Sequence, residues 1–499
     1  MNYVIVKNNQ TIPITSIPEL DYKSFLEQNV FSLIKYPEAH CVNYFGYFSG
    51  NGIKLICCIA NDESHSIYVS SCVAPVDQRL FSFSFHNLAF EKFEREIHEN
   101  FGVKYIDHPW LKPVRFASGR SDKNTAISSY PFFRIESEEL HEVGVGPIHA
   151  GIIEPGHFRF ICNGEQILHL EIQLGYQHRG IEPLFLIKKK LLQRTILAEN
   201  IAGDTVAGHT VAFVNGWESL CNYPPQKDLQ FARTLALEIE RIAIHTGDLS
   251  AICTDIAYQL GSSVFGRLRT PVINYFQTWC GNRLAKGLIR AAKNNYPFTG
   301  PLAGQLLELL DDYEPDFNDM CEELFSLPSA LARFEKTGTV TNEEAAMIGT
   351  VGMSARTSGL NRDIRSSHAH DLYPELDHQP IIKQQGDVYA RARMRKKEIK
   401  QSIGYVRQLL QKTPREIANC EKLNAPLPNS FTISLVEGWR GEICHCAITD
   451  NKGELMCYKI KDPSFHNWLA VALAVRNNEI SDFPVSNKSF DLSYCGHDL

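Results

Sequence analysis

No C-x-x-C pair occurs anywhere in this chain, although fourteen of its 499 residues are cysteine. That absence excludes a zinc ribbon and a ferredoxin-type cluster motif, so the thiols read as small buried apolar residues in a reducing compartment. No apolar run approaches the ~20 residues that span a bilayer, so membrane contact is expected only through partner subunits. The opening MNYVIVKNNQTIP lacks a basic region followed by an apolar core, and no signal peptide is expected. Basic charge is not in excess either: 50 Lys and Arg stand against 57 Asp and Glu, a net charge of −7 that argues against a nucleic-acid partner. Repeats and low-complexity tracts are lacking.

What is present is an ordinary folded composition, 44% hydrophobic and 21% charged. The patterning predicts an α+β chain, with a small N-terminal α/β domain followed by a mainly helical domain flanked by antiparallel hairpins. Residues 1–117 form the first unit, with strands at Ile53–Ala60, Ser66–Ala74 and Leu80–His86 and a helix at Leu88–Asn100. Residues 118–143, opening with the polar SGRSDKNT, suit a linker. The second unit covers 144–499. A hairpin is expected at Phe158–Ile161 and Gln166–Ile172, with Asn163-Gly164 as its turn and positive φ at both positions. Helices are expected at Leu184–Leu197, at Leu229–Thr246 with Gly247 as C-cap, at Pro301–Leu310, Asp319–Glu335 and Gln384–Lys412. The tail returns to strands at Thr432–Val436, Glu442–Thr449 and Glu454–Ile460.

One stretch organises the second unit: Ala198–Glu218, AENIAGDTVAGHTVAFVNGWE. Its small residues Ala202, Gly203, Ala207 and Gly208 mark a crowded interior, and Asp204 and His209 are spaced to line one pocket. Around it stand Gly146–Phe160 (GPIHAGIIEPGHFRF), Leu174–Glu182 (LGYQHRGIE), Leu237–Asp248 (LEIERIAIHTGD), Val351–Gly359 (VGMSARTSG), Gly386–Arg393 (GDVYARAR) and Val436–Glu442 (VEGWRGE). In this order these motifs resemble the large subunit of membrane-bound nickel–iron hydrogenases of group 4, including formate hydrogenlyase, and their relative the 49-kDa subunit of respiratory complex I. Residues 1–117 resemble the 30-kDa subunit of complex I.

The resemblance implies a nickel–iron site held by two C-x-x-C pairs. On the family pattern those four positions fall on Ala202, Thr205, Ser493 and Gly496, which carry no thiolate; Cys495 sits one position off. No nickel centre, no metal-dependent catalysis of its own and no directly bound cofactor are therefore expected, and no processed tail beyond Leu499. By resemblance Glu154 matches the glutamate that passes protons from the metal. It is either a relay with Asp204, His209 and His497, or an ion-pair partner of Arg356 or Arg440. Glu154, Asp204, His209 and Arg440 are the candidate catalytic residues; His149, His157, Arg356 and Asp491 are candidate cavity or cofactor residues. His497 reads as structural, at a frayed terminus. His149, His157 and His178 lack metal-site spacing and read as hydrogen-bonded structural residues near an interface. Complex I carries a quinone-binding histidine in the corresponding loop, where this chain has the hydrogenase-like Glu-Pro-Gly. The basic runs Lys188–Lys190 and Arg391–Lys397 read as solvated helix faces, the latter with Glu398 for pairing.

The expectation is an oxidoreductase-complex subunit, hydrogenase-like or NADH:quinone oxidoreductase-like, cytoplasmic and peripheral on the inner face of the cell membrane. Its partners would be an iron–sulfur small subunit resembling the 20-kDa subunit of complex I, a ferredoxin-like subunit and antiporter-like membrane subunits. Iron–sulfur clusters would reside in those partners, and quinone is the candidate acceptor. A true hydrogenase or formate hydrogenlyase subunit, and a non-catalytic structural subunit, are the alternatives.

Overall fold

In the computed structural model, which describes residues 2–50, 52–75, 78–149, 153–224, 226–412 and 423–499, two β-sheets lie face to face between layers of helix. The N-terminal sheet runs in the order Val4–Val6, Ser66–Pro75, Gly52–Asn61, Ala39–Ser49, with the short strand Glu19–Leu20 parallel to Ser66–Pro75. Both faces of its central strand are apolar, because both are covered. Ile53, Leu55, Cys57 and Ile59 face the helices Tyr22–Lys35 and Glu91–Phe101, while Ile56, Cys58 and Ala60 face the second sheet. This explains the adjacent Cys57 and Cys58, which point to opposite cores.

The second sheet is ordered Leu455–Lys461, Glu442–Thr449, Ser430–Glu437, Thr11–Pro13, so a strand from the start of the chain completes a sheet near its end. Cys444, Cys446 and Ile448 point to the inter-sheet core; Ile443, Val436 and Ile460 point to the helices. The helix Val206–Leu220 packs on this far side. It is apolar all round and buried along nearly its whole length, as its small-residue sequence requires. Lys227–Asp255 packs against it, Gln259–Cys280 and Val388–Gln411 pack in turn on Lys227–Asp255, and Gly300–Leu324 packs on those two. Asp387 caps the last of these by accepting from the Ala390 N–H at 2.8 Å. No described helix is long and apolar enough to cross a membrane.

Several sequence expectations are corrected. The run at Leu184–Leu197 is two helices, Ile181–Ile187 and Leu191–Ala198, and Lys188–Lys190 lie in the break between them. The helix expected to stop at Gly247 continues to Asp255; Gly247 is there because Arg269 packs where a Cβ would stand, at 2.9 Å. Pro301–Leu310 and the start of Asp319–Glu335 belong to one helix, Gly300–Leu324, which accommodates Pro315. In the hairpin the two loop residues are Gly164 and Glu165, since Asn163 pairs with Gln166, and Gly164 alone has positive φ. Arg391 and Arg395 are fully buried rather than solvated. Arg395 Nε donates to Asp248 at 2.7 Å, and Arg391 donates to the Gly338 and Gly386 carbonyls while stacking on Phe490. Helical periodicity alone does not separate such a face from a surface one.

Candidate functional site

Three segments converge where the family would hold its metal. One is the turn before the helix Val206–Leu220. The second is the turn Gly438–Gly441, which joins the strands Ser430–Glu437 and Glu442–Thr449. The third is the C-terminal stretch from Asp491. The first is fixed by Glu240, whose carboxylate accepts the Ala207 and Gly208 N–H groups at 2.7 and 3.2 Å and so caps the helix. The second closes on itself through Gly438 and Gly441, and lies so tightly on Gly352 that a Cβ there would meet the Gly441 Cα at 2.1 Å. Gly352 and Gly441 both have positive φ (62° and 138°), so neither position tolerates a side chain.

Arg440 is thereby aimed at the first and third segments. Its two terminal nitrogens donate to the two Asp204 carboxylate oxygens at 2.6 Å each, one of them also to Thr205 Oγ1 at 3.1 Å. Its Nε donates to the Asp491 carbonyl, and its guanidinium stacks 3.9 Å above Trp439, whose indole N–H donates to the Asp204 carbonyl. Asp491 lies behind this clamp, hydrogen-bonded to Asp248. Burial and the Asp248 charge push the Asp491 carboxyl up to about 7. Against the cost of burial, Arg395 and His245 hold Asp248 below the usual range. Asp491 thus gains and loses its proton near neutral pH beside an ionised Asp248.

His209 lies one layer deeper. Its Nε2 stands 2.9 Å from Asp462 Oδ2, its Nδ1 3.1 Å from His445 Nε2, and His445 Nδ1 2.8 Å from Tyr458 Oη. Asp462, His209, His445 and Tyr458 thus form one continuous hydrogen-bonded chain, whose donor directions follow the protonation state of His209. Burial and the neighbouring His209 keep His445 neutral, well below its ordinary value. Asp462 also closes the fourth family ligand position, because a Cβ on Gly496 would sit 2.6 Å from its Oδ2.

The other expected residues divide. His149 and Asp491 line one cavity of about 350 Å³, together with Tyr494, Lys488, Asn487 and the apolar Ile153, Phe158, Phe160, Phe483 and Leu492. Burial lowers the basicity of His149, whose Nε2 has no hydrogen-bond partner among the described residues. Residues 150–152 of the same loop lie outside the described residues. His157 is turned away, its ring 5.0 Å from Phe132. Glu154 pairs with neither Arg356 nor Arg440, and it reaches neither Asp204 nor His209; its Oε2 accepts the Cys495 N–H at 3.2 Å. Burial and Glu154 push the Cys495 thiol up to about 11. His497 is not at a frayed end but 2% exposed, in the helix Tyr494–Asp498, with Nδ1 2.8 Å from Asp498 Oδ1. His178 Nδ1 donates to the Asp498 carbonyl at 2.7 Å.

Arg356 is separate from the cavity. It is completely buried and donates to Glu398, to Glu437 at 2.7 Å and to the Arg362 carbonyl. Glu398, expected to pair with the basic run, serves Arg356, Arg241 and His245 instead. Through His245, which stands 3.0 Å from Glu398 and 3.6 Å from Asp248, this network connects to the carboxyl pair behind Arg440. Sequence reasoning missed Trp439, Asp462, His445, Asp248 and Tyr494. Trp439, Asp248 and Tyr494 lie inside or beside quoted motifs, but nothing in their spacing announced the contacts.

A nickel–iron pair does not fit these residues. Ala202 and Gly496 have no donor atom, Thr205 and Ser493 offer hydroxyls in place of thiolates, and Asp462 occupies the space of a side chain at 496. Among the described residues no group of three or more His, Cys, Asp or Glu is arranged to hold a metal ion.

Residues 261–432 match the family described as respiratory-chain NADH dehydrogenase, 49 Kd subunit. Hydrogenase-4 component G of Escherichia coli is 25% identical over 387 residues, covering 78% of this chain and 67% of that protein. Formate hydrogenlyase subunit 5 of the same organism is 25% identical over 419 residues, 80% and 74% of the two chains. An NADH-quinone oxidoreductase subunit from Dehalococcoides mccartyi is 27% identical over 354 residues, 70% of this chain and 96% of that one. The chain is thus similar both to subunits of hydrogenase complexes and to the 49 Kd-type subunit of NADH-quinone oxidoreductases.

Proposed function

We propose that this chain is the large subunit of a membrane-associated oxidoreductase complex that couples electron transfer to ion translocation without a nickel–iron centre. It would sit on the inner face of the cell membrane beside an iron–sulfur small subunit, a ferredoxin-like subunit and antiporter-like membrane subunits. The observation that carries this reading is the replacement of four thiolate positions by Ala202, Thr205, Ser493 and Gly496 within a cluster that has kept its charged groups. Of those groups Asp491 lines a cavity of about 350 Å³ with apolar walls, whose polar groups include His149, Lys488 and Tyr494. Such a lining suits a quinone headgroup, which needs a flat apolar slot and donors at its two carbonyl oxygens.

In this reading the chain's own work is to bind and orient the acceptor and to supply protons. Tyr494 and a protonated Asp491 are the nearest donors. Asp491 can be reprotonated along the Asp248–His245–Glu398 network. Arg440 and Asp204 hold the cluster electrically neutral. A purely structural role is the second reading, favoured by the ion pair that each of Arg356, Arg365 and Arg395 makes with a carboxylate.

Elemental analysis of the intact, gently solubilised complex tests the proposal, combined with titration of a short-chain quinone. Iron without nickel, together with saturable quinone binding that Tyr494→Phe weakens, supports it. One nickel atom per chain returns the hydrogenase reading, and no quinone binding favours the structural one.

A further inference from the structure

A second cavity lies on the other side of Trp468, at the junction of the N-terminal and C-terminal units. It measures about 210 Å³, larger than the ~150 Å³ apolar cavity that suffices to take up benzene. Its walls come from the helix Glu91–Phe101, the segment 109–114, the strand Gln166–Gln173 and the helix Ser464–Ala474. Three aromatic rings, Trp110, Tyr130 and Trp468, line it among leucine and isoleucine side chains. The exposed Pro109 and Arg476 mark its rim, and the buried His497 marks its inner end.

The charges in this cavity do not cancel. Glu91 is satisfied by Arg95 at 2.6 Å and Glu171 by Lys112 at 2.7 Å. Burial keeps His497 neutral. Lys92 and Arg476 remain, and neither side chain has a hydrogen bond or ion pair among the described residues; the Lys92 ammonium has only the Phe465 ring, at 5.9 Å. Burial pushes the Lys92 ammonium down to about 7, with Arg95 and Arg115 adding to the effect and the Glu91 and Asp498 charges only partly opposing it. A polar atom in the same wall, His169 Nε2, also lacks a hydrogen bond among the described residues. An unpaired ammonium in an apolar slot is costly unless something supplies the counter-charge.

We propose that this cavity is a binding site for a small amphipathic carboxylate, a single-ring aromatic acid or a short aliphatic acid. The carboxylate would meet the Lys92 ammonium, and its apolar body would lie between Trp110, Tyr130 and Trp468. A monoanion is favoured over a phosphate because Glu91 and Glu171 share the walls and most of the lining cannot solvate a second charge. The site is distinct from the cavity around Asp491: Trp468 lines only the first, and its ring stands 4.9 Å from that of Tyr494, which lines the second. Electron transfer is not required for this binding.

The test is calorimetric titration of the 499-residue chain with benzoate and with benzyl alcohol, its neutral analogue, followed in parallel by tryptophan fluorescence. Benzoate should bind one-to-one and benzyl alcohol at least about tenfold more weakly, since the difference is one charge-assisted contact. Lys92→Met should remove that preference without lowering the melting temperature of the ligand-free chain, because it deletes an unpaired charge. Ala472→Leu, which fills the cavity from the opposite wall, should abolish binding of both compounds while Lys92 remains. Equal affinity for the two compounds overturns the proposal, as does an unaltered preference in Lys92→Met or undiminished binding in Ala472→Leu.

Discussion

Arg440 grips Asp204 through two parallel bonds of 2.6 Å, yet its second carboxylate neighbour, Asp491, is held 3.7 Å away and gains and loses its proton near neutral pH. Arg440 is almost wholly buried, while the Asp204 side chain is 38% exposed. Asp204→Asn should therefore cost only about 1–2 kcal/mol at pH 7, because Asp491 can release its proton and replace the lost charge. Asp204→Asn with Asp491→Asn removes both. Chemical denaturation of the four members of this cycle should show the double variant at least about 1 kcal/mol worse than the sum of the singles. An additive result would mean that Asp491 does not compensate.

Glu240 gives a pH-dependent test with a defined sign. It caps the helix Val206–Leu220, and burial, helped by the Asp204 charge and only partly opposed by the two N–H groups and Arg241, pushes its carboxyl up to about 8 from an ordinary value of 4.5. Below 4.5 it carries its proton folded or unfolded. Between 4.5 and 8 the unfolded chain ionises while the folded chain retains the proton, so this contribution to stability declines as pH rises, and above 8 it is flat. Glu240→Gln keeps an acceptor for the two N–H groups and cannot titrate. Relative to that variant, the parent should lose stability on the order of 4 kcal/mol across this window. Parallel curves for the two would refute the assignment.

The sequence made the site's location legible, but not its wiring. Ala198–Glu218 reads as a crowded interior because small residues permit close approach, and Val206–Leu220 is buried all round. The four family positions could be assigned because the flanking motifs set the register. Arg440 was legible within Val436–Glu442, but its partner was not: nothing local to it distinguishes Asp204 from Glu154, and the choice depends on a hairpin turn 236 residues away in the chain. Burial of Arg391 and Arg395 escaped for a related reason. Their counter-charge, Asp248, and their acceptor, Ser489, lie on other helices, so the basic run reads as solvated when taken alone.

Gly496 allows a test of why the fourth ligand position is vacant of a side chain. A Cβ there meets Asp462 Oδ2 at 2.6 Å, and that carboxylate is pinned by His209 at 2.9 Å and the Ser464 N–H at 2.8 Å. Gly496→Ala should cost about 1–3 kcal/mol through overpacking. Adding Asp462→Ala should recover part of that loss, since the clash disappears with the carboxylate. If the two changes simply add, the obstruction is elsewhere.

The relay and scaffold readings separate at Glu154 and Asp204. Glu154 accepts one N–H from Cys495, and Gln can accept the same bond, so Glu154→Gln leaves the local geometry in place and removes only the ability to carry a proton. Asp204→Ala removes the main counter-ion of Arg440 but leaves the guanidinium its contacts to Thr205, Trp439 and the Asp491 carbonyl. If protons pass through this cluster, each variant should lower turnover of the complex by about tenfold or more, a contribution typical of a positioned proton donor, while co-purification with partner subunits is unchanged. A slowed Glu154→Gln complex that still assembles identifies a titrating role, since a hydrogen-bond acceptor remains in place. Loss of assembly in proportion to loss of turnover would instead make the cluster a brace for the subunit interface.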